Sequence, residues 1–90
     1  MKKDVARSAM DRVTRAIDIL EESLVVVTEG SEPGETRAYR HGIGYALSEI
    51  HDRILDPLLR EYPELLPEGV EYIPPSGPTL AQIGAKEPPA

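Results

Sequence analysis

The sequence predicts an all-α protein: an antiparallel two-helix hairpin with its second helix kinked or broken near Pro57, then a proline-rich, mostly irregular C-terminal tail. Oligomerisation is expected to complete the hairpin as a helical bundle. Three observations carry this expectation. Apolar residues recur at alternating spacings of four and three over residues 6–27, and again over 43–54. The polar segment between these runs contains glycine and proline and is too short for a domain linker. Seven of the nine prolines fall at or after Pro63. The chain is therefore expected to divide into a helical hairpin domain, 1–62, and an extended tail, 63–90, packed on the helices or on a partner.

In the first helix, Ala6, Met10, Val13, Ile17, Leu20, Leu24 and Val27 form one seam. Ala9, Ala16 and Ser23 lie beside it. Beyond them come Val5, Ile19 and Val26, with Arg12 as the exception, so the apolar or small arc is wider than one neighbouring helix can cover. The segment TEGSEPGE, 28–35, turns the chain. A second helix opens at Glu35 or Thr36, carries Ile43, Leu47, Ile50, Ile54 and Leu58 on its apolar edge, and stops at Tyr62 before Pro63. Pro57 removes a backbone donor inside that span, which predicts the kink or break. The tail predicts a short helical turn around Thr79–Ile83 and a brief extended stretch at Val70–Ile73. Its Leu65, Leu66, Val70, Tyr72, Ile73, Leu80 and Ile83 are too many apolar groups for a purely solvating linker.

Composition limits the possible functions. Ninety residues allow one modest core, and with no Phe or Trp that core is aliphatic. The absence of cysteine removes disulfides, thiol chemistry and Cys-ligated zinc. Lys2 and Lys3 resemble the start of a signal peptide, but Asp4, Arg7, Asp11, Arg12 and Arg15 interrupt any apolar segment after them. The N-terminus thus reads as mature protein, and the expected location is cytoplasmic. No membrane partner is expected, since the longest aliphatic run is Leu24–Val27. Net charge is −6 with no basic face, so no nucleic-acid partner is expected either.

Charge along both helices opposes the backbone dipole: Lys2, Lys3 and Arg7 open the first, and Glu21 and Glu22 lie near its end. An antiparallel register in which paired residue numbers sum to about 64 brings the seams together. The same register sets Arg15 level with Glu49, Arg12 with Asp52, Asp11 with Arg53, Arg7 with Asp56, and Glu21 and Glu22 with Arg40. An antiparallel homodimer could satisfy the same pattern.

The residues that resemble chemistry read more simply as packing. His41 and His51 are ten residues apart, roughly 280° around a helix and about 15 Å along it, and cannot share a metal within one chain. Glu49, His51, Asp52 and Asp56 could cluster, yet they read as a solvated acidic face with His51 at its half-buried edge, and no metal or cofactor is expected. Gly42-Ile43-Gly44 lacks phosphate-loop spacing, while Gly42 and Ala46 are spaced for a close helix crossing. Tyr39 and Tyr45 read as edge residues that bury a ring. No serine has a recognisable base partner, so no catalytic residue is assigned.

The expected function is non-enzymatic: a protein-protein interaction or structural assembly protein, forming a homodimer or joining a larger complex. The expected interface comprises Val5, Ala9, Ile19, Val25, Val26, Gly42, Ala46, Tyr72 and Ile73. The alternative is a small acidic inhibitor of the immunity or antitoxin type, covering a basic protein surface with Glu49, Asp52, Asp56 and the acidic residues of the tail.

Overall fold

In the computed structural model, which describes residues 1–86, helix makes up 78% of the structure and no strand occurs among the described residues. Helix α1 spans Lys3–Gly30 and α2 spans Pro33–Ile50. A π-helical turn at His51–Leu55 leads into α3, Asp56–Glu61, and a 3-10 turn at Pro63–Leu65 opens the tail. The tail ends in α4, Leu80–Lys86.

The connection between α1 and α2 is tighter than the eight-residue segment expected from composition. Helix α1 continues through Thr28, Glu29 and Gly30, with the Thr28 hydroxyl donating to the Leu24 carbonyl at 2.7 Å. Helix α2 begins at Pro33, ahead of Glu35, for two reasons. Proline fits the first helical position, and Glu32 and Glu35 form a reciprocal capping box in which Glu35 Oε1 accepts from the Glu32 amide at 3.1 Å. Only Ser31 and Glu32 lie outside a helix at this corner.

Pro57 does not break the chain out of its helix. The backbone stays helical from Pro33 to Glu61, and the irregularity lies in the hydrogen-bond ladder. The Asp56 amide donates to the His51 carbonyl five residues back, so the wider π turn accommodates a ring that would crowd the carbonyl four residues before it. Pro57 itself is fully buried.

The core sits at one end of the molecule. Ala6 packs with Leu58, Leu59 and Leu65, and Met10, Tyr62, Leu66 and Leu80 close around them. Residues from both sides of Pro63 therefore share one core. Away from this end, α1 and α2 contact each other, and the Ser23 and Tyr39 hydroxyls lie 2.7 Å apart between them. The seam residues Met10, Val13, Ile17, Leu20, Leu24 and Val27 are half-buried, because two helices alone leave each other's flanks wet. The radius of gyration, 15.9 Å, exceeds the about 12 Å of a compact chain of this length.

The tail is strapped to α3 by polar bonds as well as apolar contact. Arg60 donates from Nε to the Pro75 carbonyl at 2.7 Å and from a terminal nitrogen to the Pro78 carbonyl at 3.1 Å. Gly77 lies against that guanidinium, where an added Cβ would stand 2.7 Å from Arg60 Cζ. The stretch expected to be extended at Val70–Ile73 forms no strand, since no neighbouring strand exists among the described residues to pair with it. Just before it, Gly69 at φ 85° and the Val70 amide bonded to the Pro67 carbonyl at 3.1 Å make a turn that needs glycine. Helix α4 is longer than the single turn expected, opened by Thr79 and Gln82, each side chain accepting from the other's amide.

Arg60→Ala is expected to remove both bonds to the strap, costing about 1–2 kcal/mol and opening the tail to protease, whereas Gly77→Ala costs less because the end of the Arg60 side chain can shift aside. Thermal melts and limited proteolysis measure this. Wild-type behaviour of Arg60→Ala in both would mean that the strap is held by its apolar contacts alone.

Candidate protein-protein interface

Helix α1 sorts its residues by angle. The seam toward α2 is covered, and the tail occupies one flank, where Lys3 Nζ lies 3.5 Å from Glu64 Oε1 and Met10 borders the core. The Glu64 carboxyl is held below the usual carboxylate range chiefly by a hydrogen bond to its own backbone, with Lys3 adding to it. Ile19 stands about 180° around the helix from Met10, so the tail does not reach that side. There Val5 is 51% exposed, Ile19 64% and Val26 70%, with Ala9 half-buried at the edge. These three exposed residues fall seven apart in one column with exposed Arg12. Val25 is also exposed, but it lies about 100° from Val26, among Asp18, Glu21 and Glu22, and does not belong to the column.

The close crossing expected at Gly42 and Ala46 is not made within the chain. Both residues are exposed, and a Cβ added to Gly42 would meet nothing within 4 Å. The contact face of α2 runs instead through Thr36, Tyr39, Ile43, Leu47 and Ile50, one helical step away. Tyr39 is half-buried as expected of an edge tyrosine, but its hydroxyl is hydrogen-bonded to Ser23, and the Tyr45 ring, also expected to be buried, is exposed.

Tyr72 and Ile73 part company. Ile73 is 91% exposed. Tyr72 is 39% exposed, and its hydroxyl donates to Asp56 Oδ1 at 2.8 Å. That hydrogen bond, then burial, then the Asp56 charge raise the Tyr72 phenol above its ordinary value. Burial raises Tyr62 as well, with Glu61 adding to it, and the Tyr62 hydroxyl donates to the Met1 carbonyl.

Asp56 corrects the expected acidic face. It is 3% exposed and is paired with Tyr72 of the strap rather than Arg7. Glu49 pairs with Arg53 one turn along its own helix, and Asp52 and His51 are exposed, so His51 is not the half-buried edge expected of it. The cross-helix charge register does not close either: among the described residues, the ion pairs are Lys3–Glu64 and Glu49–Arg53. Arg12 donates to the Ser8 carbonyl and hydroxyl in its own helix. Among the described residues, no three His, Asp or Glu side chains converge to hold a metal.

An open groove of about 430 Å³ remains between Met10, Leu55, Leu59, Leu66, Val70 and Tyr72, showing that the strap covers this flank of α1 incompletely. Among the described residues, no helix is long and apolar enough to cross a membrane. No family model, curated protein or solved structure matches this chain.

Proposed function

We propose that this protein is a non-enzymatic assembly module: a helical hairpin that forms a homo-oligomer, alone or within a larger complex, by burying the outer face of α1. The observation that carries this reading is the exposed column of Val5, Ile19 and Val26, on the side of α1 that neither α2 nor the tail covers. The hairpin arrangement is supported by contacts at both ends of α1, Ser23 with Tyr39 near the corner and Ala6 with Leu58 at the far end.

Surface area agrees in scale. The chain exposes 6760 Å², roughly 1,500 Å² more than the about 5,200 Å² typical of a folded monomer of 9.9 kDa. A standard interface removes about 800 Å² from each partner. The acidic-inhibitor reading is weaker, because Asp56 is buried and Glu49 is paired within its own helix.

Val26→Lys places a charge in the exposed column without touching the core at the other end of α1. Light scattering is expected to show a wild-type mass above that of one chain and a variant returned to one chain, both with the same helicity by circular dichroism. A monomeric wild type, or a variant of unchanged mass, would overturn the reading.

A further inference from the structure

We propose that the occupant of the α1 face is a second copy of this chain, lying antiparallel along α1 about a two-fold axis between Arg15 and Ala16. This inference rests on the reading of α1 as an assembly face and adds the partner's orientation and the residues that select it.

The first half of α1 is basic and the second acidic. Through Arg15 there are five basic residues, counting Lys2, and two acidic ones; from Ala16 to Gly30 there are Asp18, Glu21, Glu22 and Glu29 and no basic residue. The dipole of a lone helix disfavours this order, and among the described residues neither Arg12, Arg15, Glu21 nor Glu22 forms an ion pair. The complementary charges are present on an exposed surface and make no ion pair among the described residues, Arg12 donating only to Ser8 of its own helix.

Two copies in parallel would set Arg12 beside Arg12 and Glu22 beside Glu22. Two antiparallel copies bring the basic half of each against the acidic half of the other, as interfaces of complementary potential require. With the axis between Arg15 and Ala16, Val5 meets Val26 of the second copy, and Arg12 meets Ile19. Arg12 then ceases to be an exception in an apolar column. Its aliphatic stem covers the second copy's Ile19, and its guanidinium reaches that copy's Glu22, three residues or about 4.5 Å further along. Seven-residue spacing of Val5, Arg12, Ile19 and Val26 keeps the column facing one partner helix over the length of α1.

Charge reversal and its complementation test the pairing. Arg12→Glu and Glu22→Arg each turn two attractions per dimer into repulsions and are expected to weaken the dissociation constant about tenfold. An equimolar mixture of the two variants restores both attractions and is expected to return to near wild-type affinity. Both positions are exposed, and circular dichroism checks that each variant folds. In a parallel pair, Arg12→Glu exchanges one like-charge contact for another and leaves affinity unchanged.

Spin labels on a single cysteine supply the geometry, since the chain has no cysteine of its own. Labels at Asp4→Cys should lie about 35 Å apart along the axis, and labels at Asp18→Cys about 8 Å. A wild type that stays monomeric at high micromolar concentration overturns the assembly reading and this inference with it. An oligomer that tolerates Arg12→Glu, or whose two label separations are equal, overturns the antiparallel pairing and leaves assembly standing.

Discussion

Leu58→Ala is expected to lower stability by about 2–5 kcal/mol. Leu58 is 2% exposed and belongs to the core in which α1, α3 and the tail meet. The small Ala6 opposite it cannot move inward to fill the space, because a methyl on a fixed helix has no rotamers to offer. A chain of this length has about 5–13 kcal/mol in all, so the loss takes a large share. The melting midpoint should fall by upward of about 10 °C, measured at one fixed protein concentration. Ile54→Ala, at an exposed position one turn earlier, is the control and should cost far less. Near-equal midpoints for the two variants would mean that the tail and the start of α1 are not docked on α3 in solution.

Helix existence was legible because it depends on local spacing. The seam from Ala6 to Val27 is the half-buried or buried side of α1, and Ile43, Leu47 and Ile50 are the covered side of α2. Two helix starts carry capping signals written in the sequence, Pro33 with Glu32 and Glu35, and Thr79 with Gln82: the second start was legible at Thr79, while composition alone places the first at Glu35 or Thr36, two or three residues late. The strap was not legible. Arg60 bonds to the carbonyls of Pro75 and Pro78, and a backbone carbonyl carries no residue identity that could announce it. Gly77 signals only that side-chain bulk is unwelcome there, not what approaches it. The charge pattern was visible but carried two solutions, one within the chain and one between chains. Among the described residues the cross-helix ion pairs of the first are not formed, and the antiparallel pairing proposed above uses the second.

The Asp56–Tyr72 pair gives the second large effect, because its burial follows from tertiary packing that a run of charges conceals. Tyr72→Phe keeps the ring and removes the hydroxyl that donates to Asp56 Oδ1. A carboxylate 3% exposed is thereby left without its side-chain donor, and stability is expected to fall. Asp56→Leu combined with Tyr72→Phe removes both polar groups, so the double variant should be more stable than the sum of the single losses predicts. Alkaline pH supplies an independent check. The folded state raises the Tyr72 phenol above its ordinary value, first through the bond to Asp56, so the associated stability is fully present below about pH 10. It is lost as pH rises through the folded value, when the phenolate would face the carboxylate. Tyr62 titrates in the same direction and is present in both proteins, so subtracting Tyr72→Phe from wild type isolates the pair. Denaturant melts across the alkaline range should show the wild-type advantage shrinking above pH 10. A constant difference at every pH would mean that Tyr72 contributes through its ring alone and that Asp56 finds its partner elsewhere.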